Sequence, residues 1–211
     1  MPARDSSPGA KNVSRVLLAS SNEGKLREFR GMAAGSGVEF DLLPDFQSLP
    51  AFEESAPTFS ENSMGKGLHY SQFTEETVLA DDSGLVVPTL GGAPGVQSAR
   101  YVGPNATDAD RVEKLLTAMQ VFTGDQRCAR FICVLSLAQR GRAIAVVSHF
   151  VAGFISERPK GSQGFGYDPV FFSPELERTF AEASAEEKNR ISHRGRAFRK
   201  VLGLLQGSQI L

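Results

Sequence analysis

Two pairs of adjacent carboxylates are the side chains of this 211-residue chain best suited to hold a cation: Glu53-Glu54 and Asp81-Asp82. Adjacent carboxylates repel each other unless something neutralises them, and Mg²⁺ usually takes one or two such ligands together with water and phosphate oxygens. The Glu pair alone is more typical of an exposed surface. The Asp pair lies between two apolar runs that we expect to be buried, where uncompensated charge is costly. The sequence therefore predicts that Asp81-Asp82 needs a cation.

A polar segment between an apolar run and a helical pattern is a second candidate, and it comprises Ser20, Ser21, Asn22, Glu23, Gly24 and Lys25. Free N–H groups and the positive end of a helix dipole favour anions at such a junction, and Lys25 adds a full charge. The alternative, of equal weight on this segment alone, is that Asn22 caps a helix and Lys25 is a solvated charge. The segment is not a P-loop, because the pattern GxxxxGK[ST] is absent.

The segment 164–169 combines two glycines with Phe165, Tyr167 and Asp168. This composition suits a loop in which a flat ring packs against a flat ligand while the acid binds one edge of it. An ordinary turn before a strand is the alternative, and on this segment alone the turn is favoured.

His193 and Arg194 follow Ser192 in the first turn of a predicted helix. The helix dipole mildly disfavours cations at this end. Side chains that depart from a local preference are an indication of function, and here anion binding or binding to a base edge is the obvious use. His69 and His149 have no such context and are expected to be structural.

The composition excludes several classes of protein. Hydrophobic residues make up 41% and charged residues 22% of the chain, as in an ordinary globular protein that folds as one compact unit. The net charge of −1 provides no global field for a polyanion, which argues against nucleic-acid binding. Cys128 and Cys133 form no CxxC pair, so we expect no zinc site or disulfide and a reducing cytoplasm. No apolar stretch is long enough to span a membrane.

Helical patterns with capping residues surround these candidates. The apolar run at 15–20 predicts a buried strand, and a helix follows it. Thr58 and Glu61 match a capping box that starts a helix running to about Phe73. Thr107 starts a third helix with a clear apolar stripe, and Ser192 caps the last one.

Strand patterns alternate with these helices. The segments 131–138 and 143–155 flank a turn-like sequence and predict a long hairpin. Residues 81–84 interrupt two apolar pieces, which predicts the end of a strand or a turn there. The class is α/β or α+β, with the strand order left open. Residues 1–14 are predicted to be a mobile tail, and residues 15–211 a single domain.

Taken together, six segments resemble the inosine triphosphate pyrophosphatase family, in the family's order from Val16 to about Leu205. They are Ala19–Lys25, Thr58–Lys66, Ala80–Leu85, Gly92–Tyr101, Gly164–Pro169 and Glu187–Arg194. The resemblance implies an α/β fold of two lobes around a central nucleotide-binding cleft, and a homodimer. It also implies Mg²⁺-dependent hydrolysis of the non-canonical nucleotides ITP, dITP and XTP to the monophosphate and pyrophosphate.

By the same resemblance, each motif receives a role. The loop from Ser20 to Lys25 holds the triphosphate together with Lys66 and Lys188. Glu54 and Asp82 bind the metal, Asp82 is also the proton acceptor, and Asp81 is close by. Phe165 stacks on the base, and Asp168, His193 and Arg194 bind its edge. The substrate-binding set is completed by Ser83, Gly166 and Tyr167.

The chain departs from the family pattern at two positions. Ser21 stands where many members have Gly, which puts a close backbone approach at this position in doubt. Gly67 stands where Ala is usual, and we expect it to weaken its helix by about 1 kcal/mol without affecting the chemistry.

Base selection follows from donor and acceptor positions. Hypoxanthine and xanthine present an O6 acceptor and an N1–H donor, which match donors on His193 or Arg194 and an acceptor on Asp168. Adenine reverses both, so its rejection should be strong. Two alternatives stay open: a pyrophosphatase for other modified nucleotides, and a nucleotide-sensing module without catalysis.

Overall fold

One mixed sheet of seven strands organises the chain in the computed structural model, which describes residues 14–207. The strands are β1 (Ser14–Leu18), β2 (Val38–Leu42), β3 (Thr77–Val86), β4 (Cys128–Gln139), β5 (Arg142–Ile155), β6 (Phe171–Ser173) and β7 (Arg178–Thr179). Their order is β2-β1-β3-β4-β5-β6-β7. Strand β1 is parallel to β2 and β3, and the other neighbouring pairs are antiparallel. The predicted α/β class is confirmed, while the tail, up to residue 13, lies outside the described residues.

Five α-helices accompany the sheet in the described part of the chain: α1 (Glu23–Ala33), α2 (Phe59–Tyr70), α3 (Asp108–Met119), α4 (Ala185–Ile191) and α5 (His193–Gly207). The predicted caps are confirmed, because the hydroxyls of Thr58 and Thr107 accept from the N–H groups of Glu61 and Asp110. Helix α2 ends at Tyr70, and a 3-10 turn carries the chain to residue 73. None of the helices in residues 14–207 is long and apolar enough to cross a membrane.

The long hairpin is confirmed as β4 and β5, but the prediction of a break at residues 81–84 is wrong. Strand β3 runs without interruption through these residues and pairs with β4 along its length. Local composition suggested a turn because charged residues and glycine are rare in central strands. Here Asp81 is paired with Lys25 and Arg194, and the strand continues through the segment. Its pleat places Asp81 and Ser83 on one face of the sheet and Asp82 on the other.

The apolar interior is divided where these polar residues lie. One cluster packs α1 and α5 on the sheet around Leu79 and Leu135, and another packs α3 around Leu85 and Phe131. Strand β1 ends beside Leu79. Beyond that point, within residues 14–207, no strand pairs with the β1 side of β3 from residue 81 to residue 85. The fold thus leaves an open strand edge between two packed regions, at the carboxyl end of β1, where ligands commonly bind in α/β sheets.

Candidate active site

The polar loop after β1 forms one wall of this opening. Asn22 caps α1, because its Oδ1 accepts from the N–H of Lys25 at 3.0 Å, and Ser20 Oγ accepts from the N–H of Asn22 at 3.0 Å. The helix then directs Lys25 Nζ to Asp81 Oδ1, 2.5 Å away. A capping role and an anion-binding role are therefore compatible for this loop, since the cap itself orients the lysine toward the cleft.

The open edge of β3 carries backbone groups that face the loop. The carbonyl of Asp81 accepts from Lys66 Nζ at 2.7 Å and from Lys25 Nζ at 3.4 Å. Four residues further on, the N–H of Leu85 donates to Ser98 Oγ at 2.9 Å. Alternation along a strand points the N–H of Ser83 to this same edge. The edge therefore offers a backbone donor between two lysines and Ser98, an arrangement suited to phosphate oxygens.

Asp81 is a buried, fully engaged carboxylate. Its Oδ1 accepts from Lys25 and from Ser83 Oγ, and its Oδ2 accepts from Arg194 Nε at 2.9 Å. The thiol of Cys133 lies 3.7 Å from Oδ2. Burial acts to raise the pKa of Asp81, but Lys25 and Arg194 outweigh it and hold that pKa well below its usual range. Asp81 is thus ionised and occupied by cationic partners on its own face of the sheet.

Asp82 has a different environment on the other face. It is buried, and its Oδ2 has no hydrogen-bond partner among residues 14–207. Burial above all, opposed by Lys66 and reinforced by Glu54, raises the pKa of Asp82 to about 6. Glu54 accepts from Lys66 Nζ at 2.5 Å and has Arg100 NH1 at 3.6 Å. Of the two neighbouring carboxylates, Glu54 therefore affects the pKa of Asp82 more strongly than Asp81 does.

The donor set around Asp82 suits a cation that brings most of its ligands with it. Within the described residues, no group of three or more His, Cys, Asp or Glu side chains is placed to hold a metal ion. One unpartnered buried carboxylate oxygen beside a second carboxylate fits Mg²⁺, which takes one or two protein carboxylates and completes its shell from phosphate and water.

At the far end of the opening, the 164–168 loop presents Phe165 and Asp168. Asp168 Oδ2 accepts from the N–H of Phe165 at 2.9 Å and from Lys188 Nζ at 2.6 Å. Gly164 adopts a φ of +75°, and a Cβ there would lie 2.0 Å from Asp168 Oδ2. Burial raises the pKa of Asp168 in spite of Lys188. The loop therefore buries the acid against its own backbone.

His193 and Arg194 join this end from the first turn of α5. The ring of His193 stacks on Phe131 with centroids 4.7 Å apart, and its Nδ1 has no partner in the described part of the chain. Burial, with Arg194 and Lys188 nearby, holds the pKa of His193 well below its usual value, so the ring is neutral. Arg194 uses three N–H groups on protein partners, Asp81, Glu28 and Ser83, which leaves two N–H groups for other acceptors.

Lys188 lies with Phe165, Asp168 and Arg194 rather than with Lys25 and Lys66. Besides Asp168 it donates to Glu28 Oε1 at 2.7 Å, and its Nζ is 4.9 Å from the centroid of the Phe165 ring. The resemblance implied a triphosphate role for Lys188. That role stays a prediction, and in the structure Lys188 Nζ lies beside Asp168 and Phe165.

These elements enclose a cavity of about 330 Å³, large enough for a nucleotide base with part of its sugar phosphate. Predicted residues that line it are Ser20, Ser21, Asn22, Lys25, Glu54, Lys66, Ser83, Phe165, Gly166, Tyr167, Asp168, Lys188, His193 and Arg194. Four other predicted residues, Glu23, Gly24, Asp81 and Asp82, do not line it. Tyr167 is largely structural, since it is buried and its hydroxyl donates to the carbonyl of Ser98 at 2.9 Å.

Comparison with known proteins identifies the family. The model of the Ham1 family matches residues 16–204. This chain belongs to the Ham1 family. It is 47% identical over 189 residues to a dITP/XTP pyrophosphatase of Geobacillus kaustophilus, covering 90% of this chain and 93% of that relative. A dITP/XTP pyrophosphatase of Gloeobacter violaceus is 48% identical over 198 residues, covering 93% and 97%. The solved structure of a HAM1 protein from Coxiella burnetii has a TM-score of 0.82 at 38% identity, covering 92% of this chain and all of that one.

Within this Ham1-family site, sequence reasoning missed three charged residues. Glu28 bridges Lys188 and Arg194, and Asp108 accepts from the N–H of Gly166 at 2.7 Å. Arg111 pairs with Asp108 and lines the cavity. The only available signal was helical spacing: Glu28 lies one turn beyond Lys25, and Asp108 and Arg111 lie in the first turn of α3. Such positions on a helix are as typical of exposed charged residues as of residues in a binding site.

Proposed function

We propose that this chain hydrolyses ITP, dITP and XTP to the monophosphate and pyrophosphate, through attack of water on the α-phosphorus. One observation carries the proposal: a single cavity has lysines and a free backbone edge at one end and Phe165, Asp168 and His193 at the other. Two relatives that are nearly half identical over most of the chain are named dITP/XTP pyrophosphatases. A sensing module would gain nothing from burying an unpartnered carboxylate oxygen of Asp82 next to the charges of Glu54 and Lys66.

Asp82 is the proposed general base. A carboxylate with a pKa near 6 is still largely ionised at neutral pH and is a better proton acceptor than an ordinary aspartate. Asp81 is unsuited to this role, because Lys25 and Arg194 stabilise its ionised form. The cations Lys25 and Lys66 are placed to offset the negative charge that develops on the departing pyrophosphate.

Mg²⁺ is the proposed metal, held by Asp82 and Glu54. When bound, it would supply electrostatic stabilisation of the phosphate charge. Glu54 already neutralises Lys66, so this ion pair fixes the carboxylate beside the cleft before any cation arrives. Asp82 contributes the free oxygen. Asp81 does not bind the metal in this proposal, because Lys25 and Arg194 already donate to its two carboxylate oxygens.

Base selection is assigned to Asp168 and to the α5 donors. Asp168 would accept the N1–H of a 6-oxo purine, while neutral His193 or the remaining N–H groups of Arg194 would donate to O6. Phe165 would stack on the ring. Adenine would place a lone pair against Asp168 and an amino group against these donors, which leaves buried groups unpaired and should reject ATP by a large factor.

The deciding experiment is a product analysis. The purified protein is incubated with ITP, dITP, XTP, GTP or ATP, with and without Mg²⁺, and the products are separated by chromatography. We expect IMP plus pyrophosphate from ITP, only with the metal, and little product from ATP. Formation of IDP plus phosphate, or no product from any of the three non-canonical nucleotides, would overturn the proposal. Modified pyrimidine and methylated nucleotides are added to the same panel, and a preference for one of them would instead support the alternative pyrophosphatase.

The role of Asp82 as general base is tested by the variant Asp82→Asn. We expect this variant to keep its fold and lose at least about 100-fold in kcat for ITP, a loss typical when a general base is removed. Asp125→Asn is the matched control, because Asp125 is an exposed acid that does not line the cavity. Near-normal turnover by Asp82→Asn would refute the role of Asp82.

Three further expectations complete the proposed function. The whole of residues 15–211 acts as one two-lobed domain, the protein works as a homodimer, and it functions in the cytoplasm. The two cysteines, both free, are consistent with a reducing compartment. Sedimentation analysis of the purified protein tests the dimer, and a monomer at micromolar concentration would contradict it.

A further inference from the structure

Six charged side chains form a continuous series of alternating sign that spans the cavity floor. In order of contact they are Lys25, Asp81, Arg194, Glu28, Lys188 and Asp168. Each neighbouring pair is joined by a contact of 2.5 to 2.9 Å. Three are anions and three are cations, so the series carries no net charge when all six are ionised. Its members come from α1, β3, α4, α5 and the 164–168 loop.

Glu28 is the central link at the base end. Its Oε2 accepts from Arg194 NH1 at 2.6 Å and its Oε1 from Lys188 Nζ at 2.7 Å. Both cations are buried and lie over the ring of Phe165, at 4.9 Å for Lys188 and 5.4 Å for Arg194. Burial acts to raise the pKa of Glu28, but Arg194 and Lys188 outweigh it and lower that pKa, so Glu28 is ionised at neutral pH.

Without the charge of Glu28, the base end would carry an excess positive charge. Lys188 would still pair with Asp168, and Arg194 would still pair with Asp81. Asp81 also pairs with Lys25, so one carboxylate would face two cations. His193 does not alter the sum, because it is neutral. In a buried site, one uncompensated charge a few ångströms from a ligand has a large effect on the binding of a charged ligand and a smaller effect on a neutral one.

The proposed substrates differ in the charge of their bases. The second carbonyl of xanthine makes its ring N–H acidic, so the base of XTP is largely an anion near neutral pH, whereas the hypoxanthine of ITP and dITP is neutral. Building on the proposed function, we propose that Glu28 is a specificity-determining residue: it keeps the base end electrically neutral, so that the neutral hypoxanthine nucleotides are used alongside the anionic xanthine nucleotide. Glu28 acts through Lys188 and Arg194 and needs no contact with the base.

The test compares kcat/KM for XTP with kcat/KM for ITP near neutral pH, as a ratio for each variant. Glu28→Gln leaves an extra positive charge, and we expect the XTP to ITP ratio to rise about tenfold. Lys188→Met leaves an extra negative charge, and we expect the ratio to fall. The double variant Glu28→Gln with Lys188→Met restores neutrality, and its ratio should lie close to that of the wild type. Glu28→Asp keeps the charge and should keep the ratio.

Structural damage cannot produce this pattern, because it would lower both substrates' values and would be worst in the double variant. If Glu28→Gln does not fold, as judged by circular dichroism, the direction of the Lys188→Met change decides the question. Ratios within twofold of the wild type in the folded single variants would overturn the inference. Failure of the wild type to release pyrophosphate from either nucleotide would instead overturn the proposed function itself, so the two failures are distinguishable.

Discussion

Replacing Asp82 by Asn should stabilise the metal-free protein while it removes activity. Asp82 is buried, its Oδ2 has no hydrogen-bond partner among residues 14–207, and the loss of solvation on burial raises its pKa although Lys66 acts to lower it. The folded state therefore disfavours the charged carboxylate. Asn has nearly the same shape and no charge, so it removes this electrostatic penalty and leaves the packing in place.

The magnitude follows from the pKa. The pKa of Asp82 is 3.8 in the unfolded chain and about 6 in the folded protein, so between these two pH values the folded protein holds more of the proton than the unfolded chain does. The free energy of unfolding therefore falls as pH rises through this interval, and the loss is complete above about pH 6. For Asp82 alone it amounts to about 1.5 kcal/mol at pH 5 and about 3 kcal/mol at pH 8. Asp82→Asn should be more stable than the wild type by these amounts.

The assay is urea unfolding with a chelator present, at several pH values from 5 to 8. The chain has no tryptophan, so far-UV circular dichroism is the suitable signal. Wild type, Asp82→Asn and the exposed control Asp125→Asn are compared, and the slope m should be the same for all three, since their buried areas are alike. In a thermal scan, about 3 kcal/mol corresponds to a rise in Tm of roughly 6 to 12 °C for a chain of this size.

Two results would refute the reasoning. Asp82→Asn could be less stable than the wild type at pH 8, which would mean that the carboxylate makes favourable contacts in the metal-free protein. Alternatively, its advantage could be constant with pH or shared by Asp125→Asn, in which case the stabilisation would have no connection with the ionisation of Asp82. Adding Mg²⁺ should shrink the advantage, because a cation that binds the carboxylate stabilises only the wild type.

Two glycine-to-alanine substitutions at crowded positions can each be compared with the same substitution at a glycine in open space. Gly164→Ala should lower kcat/KM for ITP by at least about tenfold, because a Cβ there meets the Asp168 carboxylate at 2.0 Å. Gly91→Ala, with a similar positive φ, open space around it and no place in the cavity lining, should cost only about 1 kcal/mol of stability. In urea unfolding, Gly67→Ala should lower the free energy of unfolding by about 1 kcal/mol despite its better helix propensity, because its Cβ would lie 2.8 Å from Ser136 Oγ. The second change Ser136→Ala should relieve this clash. Gly31→Ala, which has open space around its Cβ, should stabilise the protein. A stabilised Gly67→Ala, or equal kinetics for Gly164→Ala and Gly91→Ala, would contradict these arguments.

The same clash revises the expectation for Gly67. From sequence alone, glycine in a helix predicts a local weakening. In the fold, α2 packs on β4 so closely that glycine at this position leaves room for Ser136, whose hydroxyl donates to the carbonyl of Ser63 at 2.6 Å. This information lies in the contact between residues far apart in the chain, and no local pattern contains it.

Local signals did predict much of the fold. Thr58 and Thr107 start helices as expected, and the strand and hairpin patterns hold because they depend on alternation within short segments. Glu28 shows where such signals end. Its partner Arg194 is 166 positions away, and a glutamate on an amphipathic helix usually faces water. Only the tertiary packing of α1 against α5 makes it the link between two buried cations.

Asp81 and Asp82 show that one wrong local assignment can hide a chemical distinction. If the segment is a turn, the two carboxylates form a pair that shares one cation. If it is a strand, its period of two places them on opposite faces, so each must find its own neutralising partner. The structure has the strand: Lys25 and Arg194 hold the pKa of Asp81 low, while burial raises that of Asp82 to about 6. Because the faces differ, Asp81 fixes Arg194 while Asp82 Oδ2 has no partner among residues 14–207. The chemical division of labour thus follows from strand geometry, which the apolar residues on both sides could have indicated.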